Sequence, residues 1–584
     1  MAANFPPSIF LMAGALLVPF LNGRARNWYT ILLPAAAFCL IWQMETGLSW
    51  HIHLFDHELT LLRVDRLSRV FGYIFTLNAC AAFVYAFYLR SSLQHMAAII
   101  YVGSSLGVVF AGDLISLYLF WETMAVSSTF LILARKSKKA LEAGMRYILV
   151  HVAGGLLLLA GIFMHISRTG SIEFAAMGDP NWASYLILIG FLVNAAAPPL
   201  SAWLPDAYPE ATVTGGVILS AYTTKTAVYT LVRGFPGWEI LIWVGCIMTI
   251  YGIIYALLEN DMRRILAYSI INQVGFMVTG IGIGTMISLN GSVAHAFCHI
   301  IYKSLLWMSA GSVLYMTGKS RCTDLGGLYK TMPWTLIFGA VGALSISAFP
   351  GTSGFTSKSL IIDGAVHVHL MWVWLVLEIA SAGVFLHAGI KFPYFVFFAK
   401  DKGLRPGETN LPMLFAMGFM SLLCILLGVY PEPLYALLPY QVHYQAYTIN
   451  HVVAQFQLLM FSALVFFLLL PLLKRTETVS IDTDWLYRKG LKFCMAVITG
   501  LLSRTESRCE RVFVHIIPET LSRFTQRPLT AVVISCMKIM GKGQSAVDRF
   551  REQRGPEIAT FGPIGLPVFL SLMFLFWLFL FFGF

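Results

Sequence analysis

Apolar runs of about 20 residues, the length that crosses a bilayer, succeed one another along this chain with short polar interruptions. They begin near Pro6, Tyr29, Ser68, Met96, Asp113, Arg146, Trp182, Thr212, Gly237, Arg264, Ser288, Met332, Leu370, Leu411, Val452 and Phe561. Together they predict about 16 membrane spans, and hence an all-α polytopic membrane protein. The first run lacks a basic leader and a small-residue cleavage site, so it is expected to remain as a helix. Prolines interrupt the apolar pattern at Ala197-Pro198-Pro199, at Trp203-Leu204-Pro205-Asp206-Ala207-Tyr208-Pro209 and at Phe349-Pro350-Gly351-Thr352-Ser353-Gly354. Each proline removes a donor and frees a carbonyl of the preceding turn. Freed backbone at membrane depth persists only inside protein or beside a wet cavity. These interruptions read either as kinked packing contacts or as broken helices around an ion path.

Ionisable residues inside the apolar runs are few, which makes their spacing informative. His295, His299 and Lys303 recur every fourth residue within the run at 288–316. A spacing of four places them along one helix face, drifting roughly 40° and climbing roughly 6 Å per step. Ionisable groups in a membrane normally face protein or water and mark function. The three read as stepping stones for a proton, or as a polar stripe that joins helices. Glu122 follows Phe120-Trp121, and Lys225 lies within Leu219-Ser220-Ala221-Tyr222-Thr223-Thr224-Lys225, each several residues from a loop. A Glu–Lys pair that forms and breaks switches the proton affinity of its lysine; a static pair only specifies packing. His387 and Lys391 are again four apart, with Glu378 earlier in the same run. Lys391 is close enough to the end of its span to snorkel toward water. Lys358 adjoins the 349–354 interruption and is expected to be solvated, while Arg263 and Arg264 open a span and read as topology anchors.

Composition supports the membrane reading and removes others. Of 584 residues, 58% are hydrophobic and 12% charged, which no soluble domain of this size shows. Basic loops, including Arg135-Lys136-Ser137-Lys138-Lys139 and Lys474-Arg475, fall on one side of the span count, and Asp56, Glu58, Glu173, Asp179 and Glu432 on the other. Positive loops stay cytoplasmic, so the N-terminus is expected outside. The net charge of +11 reflects these flanking segments and a basic tail, not a nucleic-acid surface. The nine cysteines stand singly, without a Cys-x-x-Cys pair, a phosphate-binding glycine loop or a dinucleotide fingerprint nearby. His295-x-x-x-His299 has zinc-pair spacing, but Ala296 stands where a metalloprotease has glutamate. Gly103-Ser104-Ser105-Leu106-Gly107 matches a hydrolase string but sits within an apolar run, where it reads as small-residue packing. No metal and no cofactor is expected, and the chain reads as a component of a transporter, at most a non-redox subunit of an oxidoreductase. Beyond Lys474 basic and apolar residues alternate at helical spacing, which predicts an amphipathic extension along the cytoplasmic surface, followed by a final apolar span.

In combination, Trp121-Glu122, the Trp203–Pro209 break, Thr224-Lys225-Thr226-Ala227-Val228-Tyr229, Ala267-Tyr268-Ser269 and His295-x-x-x-His299-x-x-x-Lys303 followed by Gly326-Gly327-Leu328 resemble one superfamily. It comprises the antiporter-like subunits of respiratory complex I, of membrane-bound hydrogenases and of Mrp-type multisubunit cation/proton antiporters, with the D component of the Mrp type most similar. The resemblance covers roughly residues 60 to 430. It implies a core of about 14 helices with two inverted five-helix repeats, each holding a broken helix. On that pattern residues 1–112 are N-terminal spans, 113–284 and 285–430 the two repeats, and 431–473 a last core span. Residues 474–560 are then the extension and 561–584 the terminal transmembrane helix. The resemblance further implies a proton axis through Glu122, Lys225, His295, His299, Lys303 and Lys391. It implies no cofactor in this chain, other membrane subunits as partners, and a bacterial or archaeal cytoplasmic membrane. The family usually has a lysine where Asn194 stands. Asparagine cannot hold a proton, so Glu122 is left to pair with Lys225 or to sit in an apolar pocket. Three functions follow as expectations: cation/proton antiport, redox-driven proton pumping in a complex I-like or hydrogenase-like assembly, or an assembly role with an impaired first half.

Overall fold

The computed structural model describes residues 4–54, 57–471 and 528–553, with further positions between 482 and 519 and at 573. It divides into two units, Met1–Asp484 and Trp485–Phe584. The first unit begins with α1 (Pro7–Ala15) and α2 (Gly23–Gln43), then a hairpin of β1 (Gly47–Leu54) and β2 (His57–Val64). Helices α3 (Arg66–Tyr85), α4 (Ser92–Phe110), α5 (Leu114–Leu133), α6 (Lys138–Thr169) and α7 (Trp182–Asn194) follow. A short α8 (Trp203–Ala207) leads into α9 (Val213–Leu219) and α10 (Thr223–Gly234), then α11 (Ile240–Leu258), α12 (Met262–Ile283) and α13 (Met286–Thr317). The unit continues with α14 (Pro333–Ile346), α15 (Ser353–His367) and α16 (Met371–Val384), which runs on into π-helical turns at Phe385–Lys391 and Tyr394–Phe398. It closes with α17 (Leu411–Val429), α18 (Glu432–Leu437) and α19 (Ile449–Leu468). In the second unit α20 (Pro528–Ile539) and α21 (Gln544–Gln553) are described. Most of the expected extension and the terminal span at 561–584, Met573 excepted, lie outside the described residues.

Nine described helices are long and apolar enough to cross a membrane, which makes this a multi-pass membrane protein. Many starts follow capping chemistry: Asp65, Asp113, Ser137, Asn181, Thr212, Asp261 and Thr285 each accept a backbone N–H of the first turn. Packing is close where side chains are small. A Cβ on Gly275 of α12 would sit 2.7 Å from the Gly245 carbonyl and the Thr249 amide of α11, so only glycine permits this approach. Gly103, in the hydrolase-like string, packs α4 against Leu11 and Met12 of α1, as small-residue packing requires.

Helix α13 lies at the centre, touching α3, α9, α10, α12, α14, α15 and α17, and is buried continuously from Ser288 to Val313. That burial explains why its polar residues must find protein partners or go without.

Three local expectations change. The run from Thr212 is not one span but two half-helices, α9 and α10, parted at Ser220–Tyr222 where the chain has no proline. Lys225 is therefore three residues from a break and not deep within a helix. The segment 47–64 is a β-hairpin in an otherwise helical fold; His51, Ile52, His53 and Leu54 alternate polar and apolar, and pair with Thr60, Leu59, Glu58 and His57. Arg263 is more than a topology anchor. It is buried, and donates to the carbonyls of Pro209 (2.7 Å), Ala211 (2.9 Å), Thr212 (3.1 Å) and Tyr208 (3.4 Å), with its guanidinium over Trp307. One forked cation thus satisfies the irregular backbone between α8 and α9.

Candidate functional site

Helix ends supply the acceptors for three buried lysines. The Lys225 ammonium donates to the carbonyl of Ser220 at 2.6 Å, just past the end of α9, and to the Thr224 hydroxyl at 3.0 Å. The other side of the same break is held by Tyr101 of α4, whose hydroxyl accepts from the Thr223 amide at 3.0 Å and lies 2.6 Å from the Thr223 hydroxyl. Lys391 donates to the carbonyls of Ala256 (2.6 Å) and Leu257 (2.6 Å), the last turn of α11, and of Glu259 (2.9 Å) just past its end. It is fully buried, so it does not snorkel. Lys358 donates to Ile346 at 3.2 Å, the end of α14, and lies 4.9 Å over the Phe276 ring. Its expected solvation is overturned: the break beside it is packed inside the bundle, and Lys358 is buried. The last turn of a helix leaves carbonyls without intrahelical partners and carries partial negative charge. All three lysines thus use one device.

Between these anchored lysines stand groups of a different kind. Among the described residues, the fully buried Lys303 has no hydrogen-bond partner for its Nζ, and neither ring nitrogen of His299 has one. His295 is held on both sides, with Nδ1 3.0 Å from the Ser357 hydroxyl on α15 and Nε2 3.0 Å from Oε1 of Gln273 on α12. The Tyr302 hydroxyl completes this set, donating to Gln273 at 3.2 Å. Lys225, Lys303, His295 and Lys358 all lie within electrostatic reach of His299. Lys303, Lys391 and Lys358 all lie within reach of His387. Lys225, His295, His299, Lys303, Lys358 and Lys391 therefore form a file from the first helix break to the π-helical turns after α16.

Glu122 stands apart from that file. It is half-buried at a groove of about 410 Å³ lined by Met96, Ile100, Val126 and Phe130, and its Oε1 has no hydrogen-bond partner among the described residues. Among the described residues it does not pair with Lys225, whose partners are Ser220 and Thr224. Its carboxylate instead fills the notch left by Gly155 on α6, where any Cβ would collide with it. Asn194, at the end of α7, is fully buried, and neither amide atom has a partner among the described residues. Of the residues singled out by spacing, the structure brings together Lys225, His295, His299, Lys303 and Lys391, and leaves Glu122 to one side. Spacing alone misses Lys358, Gln273, Tyr302 and Ser357, whose roles depend on partners from other helices.

Comparison with known proteins matches this architecture. Residues 111–383 fit the family described as NADH:quinone oxidoreductase/Mrp antiporter, transmembrane. Over that stretch, a little under half of its length, the chain is similar to this family. It is 29% identical over 357 residues to the D component of the Na(+)/H(+) antiporter of Alkalihalophilus pseudofirmus, covering 56% of this chain and 71% of the relative. It is 27% identical over 416 residues to hydrogenase-4 component B of Escherichia coli, covering 63% of this chain and 62% of the relative. Among solved structures, a chain of the Mrp complex from Dietzia sp. DQ12-45-1b superposes with a TM-score of 0.76 at 23% identity, over 91% of this chain and 62% of that one. The fold of an antiporter-like subunit is thereby established. The chain spans a little under two thirds of the hydrogenase component and of the Dietzia chain.

Proposed function

We propose that this chain is a proton-translocating membrane subunit of a multisubunit cation/proton antiporter, working with other membrane subunits in a prokaryotic cytoplasmic membrane, its N-terminus outside. Protons pass through Glu122, Lys225, His295 and His299, Lys303 and Lys391, and Lys358 joins the file beside His295. The observation that carries this reading is the arrangement of the buried lysines. Lys225, Lys358 and Lys391 each have helix-end carbonyls ready to receive an ammonium. Lys303 and His299 have none and stand between them. Anchored sites hold a proton, and unanchored ones pass it on. Imidazole suits the second task because its charge changes near neutral pH.

Redox-driven pumping in a hydrogenase-like or complex I-like assembly is the second reading, favoured by the similarity to hydrogenase-4 component B. One experiment separates them. The assembled complex is purified with its partner subunits, reconstituted in liposomes containing a pH-sensitive dye, and challenged with a Na⁺ or K⁺ gradient. Antiport predicts a dye response to cation alone. A response that appears only on adding an electron donor and acceptor overturns antiport in favour of the redox reading.

A further inference from the structure

Glu122 and Lys225 belong to one file on the reading above, yet among the described residues nothing titratable at their direct interface joins them, and Asn194 cannot carry a proton. Helix α6 holds a group that can. We propose that His151 carries the proton across the first half of the molecule, between Glu122 and the hydroxyl groups that lead to Lys225. This inference rests on the relay reading and adds a residue to it.

His151 is 1% exposed. Its Nδ1 lies 2.9 Å from the carbonyl of Tyr147, one turn back on α6. A carbonyl only accepts, so Nδ1 carries the hydrogen and Nε2 bears the lone pair. That Nε2 is buried and has no hydrogen-bond partner among the described residues. The ring is fixed between two aromatic neighbours, Tyr147 with centroids 4.0 Å apart and Trp203 at 4.6 Å and 78°. It therefore presents an acceptor in one defined orientation, which a histidine buried only for packing has no need to do.

Its surroundings supply both ends of a path. Toward Glu122, His151 precedes Gly155 by four residues, so the two positions share one face of α6, and the carboxylate of Glu122 occupies the Gly155 notch. Toward Lys225, the ring against His151 belongs to Tyr147, whose hydroxyl is 2.9 Å from that of Ser128 and also interacts with Thr223. Thr223 meets Tyr101, and the next residue, Thr224, accepts from Lys225. Trp203 connects the same site to the neighbourhood of Asn194: its indole N–H donates to the carbonyl of Val193 at 2.9 Å. The step balances. A proton leaves the Glu122 carboxyl for Nε2, giving carboxylate and imidazolium. The imidazolium releases it from Nε2 into the hydroxyl line, which delivers one proton to the Lys225 amine. Nδ1–H stays on Tyr147 throughout.

The test uses the assembled complex in dye-loaded liposomes driven by the cation gradient. His151→Gln keeps a donor for the Tyr147 carbonyl, and His151→Phe keeps the ring packing, so between them they separate loss of the proton carrier from loss of structure. Both are expected to lower the proton flux roughly tenfold or more. Asn194→Lys added to His151→Gln restores a titratable group at this interface and is expected to recover a substantial part of the flux. Lys225→Met serves as the control. Silent Lys225→Met with wild-type flux in both His151 variants overturns the role of His151 and leaves the relay standing. Loss in the His151 variants without recovery on adding Asn194→Lys assigns His151 to packing and also overturns it. Wild-type flux in Lys225→Met overturns the relay itself, and the proposal with it.

Discussion

Lys303→Met is expected to abolish proton transport while leaving the complex as stable as the wild type, or more so. Lys303 is fully buried in α13 and its Nζ makes no hydrogen bond among the described residues. Methionine has nearly the same length and volume without the polar head. With no hydrogen bond to lose, the substitution keeps the packing and removes the desolvation cost of a buried ammonium. A residue kept to glue helices together gives the opposite result on substitution, with lower stability and no specific transport defect. A residue kept to pass protons gives a complex with unchanged or raised melting temperature and a flux lower by roughly 100-fold or more. Thermal unfolding of the purified complex and the dye response of the same preparation read both quantities.

The largest structural effect is expected at Gly354. This residue lies in the first turn of α15, and a Cβ there would fall on the carbonyl of Ser345 near the end of α14. The obstacle is backbone, which cannot swing aside as a side chain can. Gly354→Val therefore forces the end of α14 and the start of α15 apart. Those two ends position the second half of the file: Ser357 is 3.0 Å from His295, and Lys358 reaches back 3.2 Å to Ile346. Overpacking of a tight interior costs about 1–3 kcal/mol and sometimes more, and here two hydrogen bonds to functional groups go with it. The expected outcome is a fall in recovered complex and in melting temperature, together with loss of flux. Gly407→Val, in an exposed loop with nothing within 4 Å of the added Cβ, is expected to change neither. Equal behaviour of the two variants would show that the second break tolerates disorder and does not position the file.

The parts of this molecule that spacing reveals are those set by local periodicity. His295, His299 and Lys303 repeat with the helix, and α13 is indeed a single buried helix. The interruptions at 197–209 and 349–354 are visible because proline leaves a mark. The break at Ser220–Tyr222 is not, because it contains no proline and its freed backbone groups are satisfied by Lys225 and by Tyr101 from a distant helix. Lys358 misleads for a related reason: a lysine next to Pro-Gly-Thr-Ser looks like a loop residue until the loop is seen to be inside the bundle. Arg263 resembles a topology anchor because basic residues at span starts usually are. Four carbonyls from a segment some 50 residues earlier in the chain decide its role. His151 does leave a signal, a histidine in a mostly apolar run that also holds His165, but the fixed orientation of its ring exists only after α6 packs against α8.

The account stands most directly on one measurement: cation-driven proton flux through reconstituted complex carrying Lys225→Met, with partner subunits confirmed present. Lys225 bridges the first helix break and lies within electrostatic reach of both His299 and Lys303. The account predicts flux at the level of empty liposomes. Flux equal to that of the wild-type complex would contradict it.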